Sequence, residues 1–94
     1  MFGKHHTPLA FEMLTEAAVS RRLTREALEA LQKYHTFPDR NAAEVQMEVL
    51  QVLQHDGYLK PKGNGFVFES QLLRAWWKNR YRFHFVPVLK RGKQ

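Results

Sequence analysis

The stretch from His55 to Trp77 leaves the rest of the chain few ways to fold. A helix arriving at His55-Asp56 is stopped by Gly57, because a residue without a Cβ takes the left-handed conformation that closes a helix. Two short apolar runs come next, Tyr58-Leu59 and Phe66-Val67-Phe68, separated by Pro61-Lys62-Gly63-Asn64-Gly65. The glycines on either side of Asn64 supply positive φ for a tight connection, so the two runs read as the strands of a hairpin. Ser70 then stands where an N-cap belongs, and a new helix opens with Leu72-Leu73 and Trp76-Trp77. The order is helix, glycine stop, hairpin, helix.

Upstream, three further helices are legible. From Pro8 to about Ser20, Ala10, Met13, Leu14 and Ala17 recur on one face, with Glu12, Thr15 and Glu16 opposite, on what reads as a solvated side. Arg21-Arg22-Leu23 is either a linker or a single-residue strand laid beside the hairpin. Thr24 caps a helix running from Arg25 to about Tyr34, with Ala27, Leu28, Leu31 and Tyr34 on its stripe. Pro38 breaks the connection after this helix, and Phe37 is expected beneath it. Asn41-Ala42-Ala43-Glu44 is a capping-box arrangement that starts a third helix reaching about Asp56. Its core stripe is Val45, Val49, Val52 and Leu53, with Leu50 on the flank; Gln46 falls inside that stripe with no reason visible in the sequence.

This succession predicts an α+β fold of the winged-helix type: a three-helix core, a wing sheet of two or three strands and a fourth helix. Residues 1–94 are expected to form one domain, with 1–6 and 90–94 as flexible ends; 94 residues suit a single small core. The pattern His55-Asp56-Gly57-Tyr58-Leu59, Phe66 to Ser70 and Leu72 to Trp77 resembles the winged-helix module at the C-terminal end of bacterial and archaeal P-loop ATPases of the AAA-like, STAND type. The likeness is specific over about Val45 to Trp77, and departs at Gln71, where that family has a helix-starting proline. It implies a module of a larger machine, one that abuts other domains and is not itself the motor.

Charge is unevenly spread. The chain carries a net +6, but residues 1–56 hold six Lys and Arg against eight Asp and Glu, whereas residues 57–94 hold nine against Glu69 alone. A basic half of this kind meets something acidic or is simply solvated. Arg74, Lys78 and Arg82, spaced i, i+4, i+8 on the fourth helix, join Lys60 and Lys62 of the hairpin as the candidate nucleic-acid contacts. They would bind phosphate without reading sequence. The third helix has two carboxylates, Glu44 and Glu48, on its outer face and no Lys or Arg along its length, which argues against base reading by that helix.

Adjacent tryptophans lie roughly 100° apart on a helix, so both cannot enter one core. Trp76 is expected inside with Leu72, leaving Trp77 at the flank. Phe83-His84-Phe85-Val86-Pro87-Val88-Leu89 reads as an extended apolar tail that either covers the core or docks elsewhere. Trp77, Phe83, Phe85, Val86 and Leu89 are therefore the candidate protein interface, for an ATPase core or another protein domain, with weak homodimerisation through the same residues.

No nucleotide-binding loop, zinc-protease, paired-cysteine or serine-hydrolase motif is present. Apart from the adjacent pair His5-His6 beside the start, the histidines lie in separate elements, so no metal, cofactor or catalytic constellation is expected. No apolar run approaches the ~20 residues of a membrane span, and the start has no signal-like region. The absence of cysteine fits the cytoplasm. Two readings stay open: a non-catalytic protein-docking module, and a sequence-blind DNA binder.

Overall fold

A computed structural model describes residues 6–92 of the chain. In order, the elements are α1 (Thr7–Val19), β1 (Leu23–Thr24), α2 (Arg25–Leu31), α3 (Ala42–His55), β2 (Leu59–Lys62), β3 (Gly65–Phe68) and α4 (Gln71–Tyr81). Two short 3-10 turns complete the order, Arg82–His84 and Val88–Lys90. The strands form one antiparallel sheet in the order β1-β3-β2. This is an α+β fold of four helices and a three-stranded sheet, a layout compatible with a winged helix. Among the described residues, no helix is long and apolar enough to cross a membrane.

Local chemistry sets the boundaries. The Thr24 hydroxyl accepts from the Ala27 amide at 3.1 Å, and Asn41 Oδ1 accepts from Ala43 and Glu44 at 2.8 and 3.4 Å. Ser70 Oγ accepts from Leu73 at 3.0 Å. Each satisfies an amide that the first turn of a helix leaves without a partner. At the far end of α3, Gly57 stands at φ +81°, its amide bonds the Gln54 carbonyl, and the Tyr58 amide bonds that of Leu53. This is the paired bonding of a Schellman stop. β1, two residues long, pairs Leu23 with Phe66 and Thr24 with Gly65. It is longer than the single-residue strand the sequence allowed, and it turns Arg21-Arg22 into the approach to a sheet.

All four helices present narrower or different faces than their periodicity implies. α2 stops at Leu31, and Tyr34, expected on its stripe, is exposed. On α3, Leu50 is buried with Val45, Val49 and Leu53, while Val52 is only half-buried. Gln46 is buried because it cross-links two helices: its Nε2 donates to the Leu28 carbonyl at 2.6 Å, and its Oε1 accepts from Gln32 Nε2 at 3.0 Å. Leu28 lies in the last turn of α2, where carbonyls lack helical partners, so a glutamine is needed there and an aliphatic residue would leave an acceptor unsatisfied.

The largest revision concerns α1. Thr15 and Glu16, expected on a solvated side, are buried, because α1 runs through the middle of the fold with α3, the sheet, α4 and the C-terminal tail around it. α4 is also rotated from expectation. Leu73 and Trp77 pack against the core, whereas Trp76 is 54% exposed and Leu72 84% exposed. Trp77 wins the inward place because its indole N–H donates to Thr15 Oγ1 at 3.0 Å, and its ring lies among Phe11, Phe68 and Tyr81. An indole packed against a core needs such an acceptor, and the Thr15 hydroxyl of α1 supplies it.

These placements carry consequences for stability. Trp77→Ala should cost about 3 kcal/mol, whereas Trp76→Ala should change stability by less than about 1 kcal/mol, as read from urea melts. A Cβ at Gly65 would stand 2.5 Å from the Leu23 carbonyl oxygen, while one at Gly57 meets nothing within 4 Å. Gly57→Ala therefore carries only the conformational cost of about 1 kcal/mol, and Gly65→Ala should exceed it by forcing β1 away from β3. Equal losses at the two glycines would show that the β1–β3 approach is not a constraint.

Candidate anion-binding groove

The sheet has two faces, and alternation decides which residues reach each. Along β2, Leu59 turns into the core while Lys60 is exposed, and Lys60 and Lys62, two apart, share the outer face with Val67 of β3. The outer face is bounded on one side by the α1–β1 turn and on the other by the start of α4. Together these form a groove of about 510 Å³ lined by Arg21, Arg22, Lys60, Lys62, Val67, Gln71 and Arg74. Five of the seven are cationic and none is a carboxylate.

Two features of its walls have identifiable causes. Arg74 is half-buried and fixed: its Nη1 donates to the Ala18 carbonyl at 2.8 Å, in the last turn of α1, and its Nε donates to Gln71 Oε1 at 3.2 Å. The guanidinium thus complements the negative end of α1 while lining the groove. Arg21 has φ 69°, the one non-glycine residue with positive φ among those described. It follows the C-cap Ser20, the position where glycine usually stands, and an arginine there carries a conformational cost of roughly 1 kcal/mol.

Of the five basic residues singled out in the sequence, Lys60, Lys62 and Arg74 come together in this groove. Lys78 and Arg82 do not line it. Lys78 is half-buried one turn beyond Arg74, and the Arg82 guanidinium lies 4.9 Å from the centre of the Phe83 ring. Arg21 and Arg22 were not among the five, because Arg21-Arg22-Leu23 reads either as a linker or as a single-residue strand and neither reading assigns the two arginines to a binding face. The signal was their position immediately before a strand that pairs beside the hairpin.

The candidate interface residues separate as well. Trp77 is an internal packing residue, held by Thr15 and its aromatic neighbours. Phe85 is half-buried, with the Arg91 guanidinium 5.2 Å from its ring centre. Phe83, Val86 and Leu89 are exposed. The tail is not an extended strand; its first 3-10 turn packs on α4 and its second on α2, which brings Val88 into the core. What holds it are the two glutamates of α1. Val88 N donates to Glu16 Oε1 at 2.9 Å while the Ser20 hydroxyl donates to Glu16 Oε2 at 2.8 Å. Arg91 donates from Nη1 and Nη2 to the two oxygens of Glu12 at 3.1 and 2.6 Å, and His35 Nε2 lies 3.2 Å from the same carboxylate.

Arg91 therefore belongs to the folded structure, against the expectation of a flexible end from residue 90. Residues 1–5 and 93–94, also expected to be flexible, lie outside the described residues. So does His5 of the His5-His6 pair. His6 packs edge-on against Phe37 at 5.8 Å. No group of three or more metal-ligating side chains gathers among the described residues.

Burial acts to raise the Glu12 carboxyl, but the hydrogen bonds and charge of Arg91, and then those of His35, outweigh it and hold the group below the usual carboxylate range. Because the folded value is depressed, the stability this pairing contributes is present above the ordinary glutamate range and is lost as pH falls below it. Arg91→Ala should lower the melting temperature at neutral pH and flatten the acid limb of a stability–pH curve. An unchanged acid limb would show that the pairing with Glu12 does not tie the tail down.

Comparison with known protein families, with curated proteins and with solved structures yields no match for this chain, so the chemistry open to the groove rests on its own geometry.

Proposed function

We propose that this chain is a non-catalytic winged-helix module that binds the phosphate backbone of DNA, without reading sequence, through the outer face of its sheet. The observation that carries this reading is the groove itself. Three separate segments contribute five cationic side chains to one concave surface that holds no carboxylate. Such a surface attracts a polyanion by releasing the counterions that accompany it, and does so regardless of base sequence.

Two further features support it. Arg21 occupies a backbone position that glycine would fill at lower cost, and residues held in such conformations cluster at functional sites. The outer face of α3, which a base-reading module would insert into the major groove, carries Glu44 and Glu48 instead, both paired with Arg40. The resemblance of residues 45–77 to the C-terminal module of P-loop ATPases fits a chain that holds DNA while a motor elsewhere acts on it.

Fluorescence anisotropy with a random-sequence duplex tests this reading. The log–log dependence of affinity on salt should have a slope of about 0.9 per phosphate contacted. Changing Lys60 and Lys62 together to Ala should lower that slope by about two contacts, and Lys78→Ala with Arg82→Ala should leave it unchanged. Arg21→Gly separates binding from folding: it should hold or raise the melting temperature while weakening DNA binding. Affinity indifferent to salt, or to the Lys60 and Lys62 changes, would refute the groove.

A further inference from the structure

α4 has a second surface, on the flank away from the groove. Leu72 and Trp76 stand one turn apart on its outward side, 84% and 54% exposed. Phe83, 74% exposed, continues that line in the 3-10 turn that extends the helix. By helical rotation this line lies roughly 160–200° around α4 from Arg74, so it faces away from the anion-binding walls. Beside it is a concavity. The Trp76 ring lies 6.3 Å from that of Trp77, and Trp77 forms one side of an apolar groove of about 310 Å³. Phe11, Leu14, Leu53 and Tyr58 line most of the remainder, with Thr7 and Ala10 of α1 completing it, and no charged side chain does.

The charge around this surface is one-sided. Residues 71–84 contain Arg74, Lys78, Arg80 and Arg82 and no Asp or Glu. Arg80 follows Trp76 by one turn, and Arg82 lies over the Phe83 ring. Among the described residues, no carboxylate pairs with Arg80 or Arg82. We infer that the Leu72–Trp76–Phe83 ridge and the apolar groove beside it form a docking site for an amphipathic helix of another protein, one that carries acidic residues along the edge of its apolar face. Its apolar side chains enter the groove against Trp77, Trp76 and Leu72 close over them, and its carboxylates meet Arg80 and Arg82. A groove for apolar anchors beside an arginine-bearing aromatic ridge is the arrangement by which amphipathic helices are held.

Other occupants fit less well. A second copy presenting the same ridge would set Arg80 and Arg82 against their own counterparts. Three exposed apolar side chains also fall short of the roughly 800 Å² per partner that a stable dimer buries. A lipid surface is served by a broad convex apolar face, whereas here the ridge is a single line of three side chains and the apolar area beside it is a concavity.

The test uses the full chain and three synthetic helical peptides of about 20 residues, long enough to carry two helical faces. One has leucines at i, i+3, i+4 and i+7 flanked by glutamates. The second has lysines for the glutamates, and the third has serines for the leucines. Calorimetric titration should show the leucine–glutamate peptide binding and the other two at least about tenfold weaker. Trp76→Ser and Leu72→Ser, both at exposed positions, should each weaken binding by about tenfold with the melting temperature unchanged. The Lys60→Ala, Lys62→Ala double variant should bind the peptide normally, so that failure of the DNA reading and failure of this one are told apart.

Equal binding of the lysine-flanked or the serine peptide would overturn the proposal. So would unaltered affinity in Trp76→Ser, or loss of binding in the Lys60/Lys62 variant. A dimer in sedimentation equilibrium that Leu72→Ser disperses would name a second copy as the occupant. Trp76-dependent binding to phosphatidylserine vesicles without peptide binding would name a membrane. Either result excludes the acidic helix.

Discussion

Glu16, in the last turn of α1, is a carboxylate only 2% exposed, and the arrangement of everything C-terminal to the sheet depends on how its two oxygens are satisfied. A polar group in such a place is costly unless its oxygens find donors. One donor is local, the Ser20 hydroxyl a turn away; the other is the backbone amide of Val88, from the far end of the chain. Thr15, next to Glu16, repeats the pattern: its hydroxyl donates to the Phe11 carbonyl and accepts from the Trp77 indole. Glu12, one turn earlier, takes Arg91. Three polar side chains along one side of α1 therefore specify where α4 and the tail lie. Apolar residues at these positions would bury as much area but would not fix that geometry.

This polar line explains where the sequence was legible and where it was not. Local signals carried well: Gly57 stops α3, Thr24, Asn41 and Ser70 cap their helices, and Gly63 turns the hairpin at φ 60°, whereas Gly65, expected to share that role, lies in β3 without positive φ and is there for the close approach of β1. What failed was the inference from polarity to exposure. Glu12, Thr15 and Glu16 look like a solvated face because their partners Trp77, Val88 and Arg91 lie more than sixty residues away. The same blindness reversed Trp76 and Trp77, since the choice between them rests on one hydroxyl of α1. Gln46 and Arg74 belong to the same class, polar side chains whose role is to satisfy carbonyls at the ends of other helices. The groove was half legible: alternation on β2 gives Lys60 and Lys62, but Arg21 and Arg22 join them only through the β1–β3 pairing.

The position of those lysines has a structural side independent of any ligand. β2 is an edge strand in the order β1-β3-β2, with one side of its backbone open. Its sequence, Leu59-Lys60-Pro61-Lys62, places a proline and two ammonium groups along that side. Proline removes a donor and lysine repels a similar neighbour, so the edge resists pairing with strands of other chains. Charge on β2 thus serves both to attract an anion across the face and to protect the border.

The bond between Glu16 and Val88 spans 72 positions. Closing so long a loop is entropically slow, and contacts of this kind form late. During synthesis the first helices and the hairpin can assemble while the α1 carboxylates still face water, since their partners have not yet emerged. Only when Val88 and Arg91 leave the ribosome can the core exclude water along α1. Val88 to Arg91 thus act as the closing step of this fold, and a nascent chain halted before them would expose a charged seam to the chaperones and proteases around it.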